Sequence, residues 1–215
     1  MGLGVVWPLL PGVIPNYLYH FEGNSNDSSG NARNGTDHTI TYGNAYGKFG
    51  QGAHFNGAGY IGLPYVAIAS NCTISFWFNT THNNLGDTFY STYQIGSAKN
   101  FGFIVQNGIL YVFVGDATTP YCSWTTVYDG KWHNLIVTAG AAGGWFVYLD
   151  GVQVATLTGG CWGSSQYHVL GCNEPNGTPL YYYTGSMDEF WVAQGIVFTP
   201  QQVRRYYAWS TGKLV

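Results

Sequence analysis

Charge is scarce in this chain: 8% of its residues are Asp, Glu, Lys or Arg, and the few Lys and Arg are scattered along it. Without a basic stripe nothing can displace counterions from a phosphate backbone, so nucleic acid is not expected as a partner. Long apolar runs are missing as well. The N-terminal stretch "MGLGVVWPLLPGVIPN" is broken by Pro8, Pro11 and Pro15, carries no basic flank and is far shorter than a bilayer-spanning helix, so neither a signal peptide nor membrane insertion is expected. Cys72, Cys122, Cys161 and Cys172 never stand at Cys-x-x-Cys spacing, the arrangement that lets one turn give two thiolates to zinc. Cys161 and Cys172 bracket "WGSSQYHVLG" and could staple a loop. Four cysteines allow three connectivities, however, and buried thiols are the alternative.

What the chain does have is aromatic residues and glycine. At 18% aromatic, with 31 Gly, it has the profile of short aromatic-rich strands joined by tight turns, and its 215 residues suit a single all-β domain. In "CTISFWFN" the residues Cys72, Ile74, Phe76 and Phe78 alternate with Thr73, Ser75, Trp77 and Asn79. That pattern predicts a strand with one buried face and places Trp77 on the polar one. Asn107-Gly108 and Asp150-Gly151 each tolerate the positive φ angles of a type I′ turn. The first would pair Val105 with Leu110, Phe103 with Val112 and Phe101 with Val114; the second, Leu149 with Val152 and Val147 with Val154. "WHNLIVTAG" and "GSMDEFWVAQ" read as further strands, and "AHFNGAGYIGLP" as a kinked one with bulges at Gly57, Gly59 and Gly62. About a dozen strands result, a number that suits a jelly-roll β-sandwich. The one expected helix is "TPQQVRRYYAWSTG", with Thr199 as cap, Pro200 in the first turn, Gln202 completing a capping box and Gly212 as terminator. Residues 1–15 read as an apolar arm and 16–215 as the domain.

Several stretches, taken in order, resemble the LamG-like branch of the concanavalin A-like lectin and glucanase fold. They are "YHFEGNSNDSSGNARNGT", "GKFGQGAHFNGAGYIGLP", "TISFWFN" with "GKWHNLIVTAG" and "WFVYLDGVQVAT", and the closing "GSMDEFWVAQGIVFTPQQVRRYY". The likeness spans about residues 17–210. It implies that the opening loop and the closing Asp-Glu pair share a structural calcium ion, with Glu22, Asp27, Asn24, Asn31 and Asp188 as ligands and Ser29 beside them. These are hard oxygen donors of the kind Ca²⁺ takes. If so, Glu22, Asp27 and Asp188 should lie within about 6 Å of a common point. Glu22 stands where the family has Asp, which puts the ligand set in doubt, and an Asx-rich turn that satisfies its own backbone is the alternative. An EF-hand is excluded, because a loop read from Asn24 has Ser29 and Gly35 where Gly and a bidentate Glu are needed. The sequons at Asn26, Asn34, Asn71, Asn79 and Asn176 are of a kind common in Asn- and Thr-rich chains.

A non-enzymatic role is expected. No strand carries carboxylates at alternate positions, and Asp188 and Glu189, being adjacent, should point to opposite faces. Glycan binding needs aromatic platforms with amides and carboxylates nearby, and "HNNLGDTFYSTYQ" and "CNEPNGTPLYYY" offer both. Tyr90, Tyr93, Trp124, Trp162, Tyr181 and Tyr182 are the candidates; core or subunit-interface packing in a homo-oligomer is the alternative for each. Val5, Val6, Trp7, Leu9, Leu10, Val13 and Ile14 make the arm suited to docking on another protein, or to packing along its own domain. A chain of this fold type that begins at Met1 without an export signal suggests a phage virion protein: a capsid-decoration, head-fibre or tail-adhesion module at the virion surface, bound to other virion proteins through its arm. The alternatives are an extracellular, secreted or cell-surface calcium-dependent lectin and, more remotely, a glycoside-active enzyme.

Overall fold

The computed structural model describes residues 10–68, 71–82, 85–92, 101–106, 109–114, 127–140, 144–158, 167–173 and 179–213. Its described strands are β1 (Tyr17–Tyr19), β2 (Thr36–Gly43), β3 (Gly52–Leu63), β4 (Cys72–Asn79), β5 (Leu85–Ser91), β6 (Phe101–Gln106), β7 (Ile109–Val114), β8 (His133–Ala139), β9 (Gly144–Leu149), β10 (Val152–Thr158), β11 (His168–Leu170) and β12 (Thr184–Gln194), followed by helix α1 (Pro200–Ser210). They form one curled antiparallel sheet in the order β10-β9-β8-β4-β12-β3-β11-β5-β6-β7, with β1 added to β12 and β2 to β3. This is the expected all-β jelly roll with one short C-terminal helix.

Both hairpins form. The β6–β7 register is the predicted one, Val105 opposite Leu110, Phe103 opposite Val112 and Phe101 opposite Val114. At the β9–β10 turn Asp150 (φ 50°) and Gly151 (φ 78°) take the left-handed conformations of a type I′ turn, and Leu149 faces Val152. The next predicted pair does not form. A bulge after Gln153 puts Ala155, and not Val154, opposite Val147. Gly57 (φ 82°) and Gly59 lie where β3 steps out of register with β2, as expected, whereas Gly62 sits in regular ladders with Thr36 and Val169.

The larger core lies between the sheet layers and is rich in aromatic residues: Tyr19, Phe55, Phe76, Phe78, Phe89 and Phe190 are all buried in it. A second core forms on the opposite face of β4, β8, β9 and β12, where α1 lies across Ile136, Tyr148 and Trp191 through Val203 and Tyr206. Trp191 donates its Nε1–H to the Tyr206 hydroxyl at 2.9 Å. The helix starts as predicted, with the reciprocal capping box between Thr199 and Gln202.

The second core corrects the placement of Trp77. Its face of β4 is covered, and Trp77 is 1% exposed, stacked on Tyr207 with the Lys48 ammonium 4.9 Å from its ring. Leu10 is buried in the same core and Val13 packs against it, while Ile14 is exposed. This part of the arm therefore lies along its own domain; Val5, Val6, Trp7 and Leu9 fall outside the described residues. Cys72 and Cys172 are buried, and Cys122 and Cys161 also lie outside the described residues.

The Asp188–Glu189 expectation fails for a local reason. β12 bulges between Asp188 and Trp191, with Glu189 at φ 51°, so strict alternation is lost there. Both carboxylates are buried, and both help raise the proton affinity of the Tyr206 hydroxyl, which burial raises most. They do not part to opposite sides of the sheet.

At the β9–β10 turn Asp150 accepts from the Asn134 backbone N–H at 2.9 Å and from His133 Nδ1 at 2.7 Å, and Asp129 meets His133 Nε2 at 3.1 Å. The Asp150 hydrogen bond raises the imidazole's proton affinity; burial works against it and Asp129 adds to it. Because the folded pKa is raised, this stabilisation is complete below the ordinary imidazole range near 6.5 and is lost as pH rises through the folded value. The melting temperature of the wild type should therefore exceed that of His133→Gln most at pH 5, with the gap narrowing towards pH 9. Separately, Thr199→Ala should cost about 1 kcal/mol and lower the melting midpoint by about 2–4 °C.

Candidate functional site

The Asx-rich loop behind β1 is organised by its own side chains. Asp27 accepts the backbone N–H groups of Leu18, Ser29 and Arg33 at 2.9–3.1 Å and the Ser29 hydroxyl at 2.7 Å. Burial pushes its carboxyl up, but these donors outweigh that and leave it below its ordinary range. Asn24 Oδ1 accepts from Asn26 N, and Asn31 turns its amide N–H towards Pro15 O and Ser29 Oγ. Glu22 and Asp188 look elsewhere: Glu22 accepts from Gln51 N at 3.1 Å, and Asp188 from Lys48 N and Phe49 N, both at 2.8 Å. Burial first, then the Glu189 charge, raise the Asp188 carboxyl above the ordinary carboxylate range.

The three carboxylates thus spend their lone pairs on separate backbone donors. Glu22 and Asp188, from opposite ends of the chain, grip the same segment 48–51, while Asp27 is folded into its own loop. Among the described residues no three His, Cys, Asp or Glu side chains form a group that could hold a metal ion. Carboxylates already aimed at N–H protons, and an Asn31 offering N–H instead of oxygen, do not fit a shared calcium ion. The alternative of an Asx-rich turn that satisfies its own backbone describes this loop.

A groove of about 630 Å³ opens elsewhere on the surface. Asn56 and Gly57 enter it from the bend in β3, His82 from the β4–β5 connection, Gly86 and Asp87 from the start of β5, Tyr181 and Tyr182 from the segment leading into β12, and Thr184 from its first position. Tyr181 is 53% exposed and held at φ 53°, a conformation rarely taken by a non-glycine residue. Two contacts fix it there. Thr88 N donates to Tyr181 O at 3.1 Å, and the Tyr181 ring lies so close over Gly86 (φ 128°) that a Cβ at that position would approach Tyr181 Cδ1 to 2.6 Å. Beneath the rim, Asp87 is 1% exposed and both its oxygens lie 3.1 Å from His82 Nδ1, while the His82 side chain keeps 34% of its surface open. Tyr182 packs towards Tyr60, which in turn stacks on His38.

The candidate aromatic residues therefore divide. Tyr181 and Tyr182 line the groove. Tyr90 is not a platform: it is fully buried in β5, packed against Phe190, with its hydroxyl 2.7 Å from His168 Nδ1. It serves the core: β5 is out of register with β6 between Thr88 and Tyr90, and Phe89 and Tyr90 are both buried in the larger core. Tyr93, Trp124 and Trp162 lie outside the described residues. Sequence reading flagged the stretch "HNNLGDTFYSTYQ" but did not single out His82, Gly86 or Asp87, and Asn56 and Thr184 carried no signal of their own. Only the fold brings these four segments together.

A family model, that of the concanavalin A-like lectin/glucanases superfamily, matches residues 55–204. The chain belongs to this superfamily. Among solved structures it is similar to domain 4 of AbnA, a GH43 extracellular arabinanase from Geobacillus stearothermophilus in complex with arabinotriose, at 24% identity and TM-score 0.71, covering 91% of this chain and 98% of that one. It is also similar to the binding domain of Paraclostridial Mosquitocidal Protein 1 (13% identity, TM-score 0.69, 91% of this chain and 51% of that one). A third likeness is to the botulinum neurotoxin serotype D binding domain (14% identity, TM-score 0.64, 90% and 50%). The chain thus spans about half the length of these toxin domains. A search of curated proteins found no match. At these identities the structural likenesses establish the jelly-roll fold.

The Gly86–Tyr181 contact gives a direct test of the groove's construction. Gly86→Ala should push the Tyr181 ring off its seat, changing the near-ultraviolet circular dichroism and the Tyr181 ring resonances while the far-ultraviolet spectrum keeps its β character.

Proposed function

We propose that this chain is a non-enzymatic carbohydrate-binding module whose ligand lies in the groove across the Tyr181 ring. The observation that carries this reading is an exposed aromatic ring locked in a strained backbone conformation beside polar groups. Ring faces take the apolar C–H faces of sugars, and Asn56, Thr184 and His82 provide hydroxyl-sized hydrogen-bonding partners around it. Family membership supports it, as does the likeness to an arabinanase domain whose structure holds arabinotriose.

Catalysis finds no support in the same groove. Glycoside hydrolysis uses two carboxyl groups flanking the scissile bond, roughly 5–9.5 Å apart, and Asp87 is the one carboxylate among the described lining residues. The reading requires neither calcium nor attachment to a virion. Leu10 and Val13, the described inner part of the arm, are occupied by their own domain.

Calorimetric titration with neutral oligosaccharides such as arabinotriose should give saturable binding. Tyr181→Ala should weaken that binding at least about tenfold, equivalent to about 1.4 kcal/mol, without lowering the melting temperature. Unchanged affinity in the Tyr181→Ala protein would move the ligand away from this groove. Release of reducing sugar from a polysaccharide would overturn the non-enzymatic assignment.

A further inference from the structure

The His82–Asp87 pair gives the groove a chemical preference. Asp87 is buried, and its carboxylate oxygens can only accept hydrogen bonds, so the His82 nitrogen facing them, Nδ1, must carry the proton. In the neutral ring that leaves Nε2 with its lone pair. No described residue bonds Nε2, and the ring stands in the groove wall with a third of its surface open. The ring's position is set from behind as well: the His82 backbone N–H is held by Thr80 Oγ1 at 2.9 Å, and Thr80 in turn donates to Thr184 O at 2.7 Å. The acceptor nitrogen is therefore placed by a chain of bonds that ends in β12. No Lys or Arg is among the described lining residues.

We propose that the groove selects neutral over acidic saccharides, with His82 Nε2 accepting a hydrogen bond from a sugar hydroxyl and Asp87 acting as a positioning residue that fixes the tautomer. A hydroxyl has a proton to give to Nε2. A uronate carboxylate has none, and no Lys or Arg stands among the described lining residues to receive its charge. Nearby groups bear on the same site without reversing its sign. The Asp87 charge also raises the Tyr128 and Tyr183 hydroxyls, which burial raises most, and both phenols stay neutral and protonated under ordinary conditions. The inference rests on the groove being the saccharide site, and it adds the class of saccharide and the residue that reads it.

The test uses the full chain at pH 8, above the ordinary imidazole range. Calorimetry compares arabinotriose, xylotriose and cellotriose with trigalacturonate, for the wild type, His82→Phe and Tyr181→Ala, and long-range ¹H–¹⁵N spectra follow the His82 ring. At least one neutral trisaccharide should bind at least tenfold more tightly than trigalacturonate. His82→Phe, which keeps a ring but removes both nitrogens, should lose most of that neutral affinity. The His82 spectrum should show the Nδ1–H tautomer in the unliganded protein, with the Nε2 resonance moving when sugar is added.

Equal or tighter binding of trigalacturonate, an Nε2–H tautomer, or an Nε2 resonance unmoved at saturating sugar would each overturn the proposal. The two readings fail differently. If Tyr181→Ala abolishes binding while neutral and acidic sugars bind alike, the selectivity is wrong and the groove stands. If sugars bind unaffected by both variants, or no sugar binds at all, the groove assignment itself falls and the selectivity with it.

Discussion

β12 is buried on both faces, and the other layers are arranged around that constraint. Met187, Phe190 and Val192 point into the aromatic core between the layers, and Trp191 and Ala193 point into the core under α1. Its edges are taken as well, by β4 on one side and by β3 and β1 on the other. A strand with no solvent-facing side needs a cover for each face, and the helix supplies it over Ile136, Tyr148, Trp191 and Ala193. The same strand carries the bulge at Glu189. It admits two carboxylates into the buried strand, and each has a partner: Asp188 holds the backbone of Lys48 and Phe49, and Glu189 meets His20 Nδ1 at 2.8 Å.

The same logic explains the opening loop. A coil that must run over the domain edge leaves backbone N–H groups without strand partners, and these can be satisfied by side chains or organised around a cation. Here Asp27 gathers three such donors, and Glu22 and Asp188 take those of Lys48, Phe49 and Gln51. Acidic residues in this pattern thus act as local scaffolding for the backbone.

The legible part of the fold was the part governed by short-range rules. Asn-Gly and Asp-Gly announced two hairpins because few other pairs tolerate their backbone angles, and the Thr-Pro-Gln-Gln sequence announced the helix start because its cap is local. The order of motifs along the chain added the architecture. What failed depended on non-local packing. Trp77 looked exposed because nothing in "CTISFWFN" reveals that Tyr207 will stack on it, and Val154 slipped a position because a bulge leaves no mark in an alternating pattern. The groove was half visible. Tyr181 and Tyr182 stood out as aromatic residues in a polar stretch, but Tyr90 in a similar setting turned inward, and the His82–Asp87 pair becomes chemically meaningful only once Tyr181 closes over Gly86.

The groove joins the domain in an uneven way. Thr184 enters it as the first residue of β12, and Asn56 opposite pairs with it in the sheet, so this side of the groove is built on the sheet itself. Its rim, at His82, Tyr181 and Tyr182, belongs to connections whose side chains face outward. The two sides therefore differ in what a substitution disturbs: at Asn56 and Thr184 it touches the β3–β12 pairing, while at the outward-facing side chains of the rim it alters the groove surface first. A scaffold divided in this way can be re-targeted from one sugar to another by a few substitutions, keeping its architecture while its ligand preference diverges.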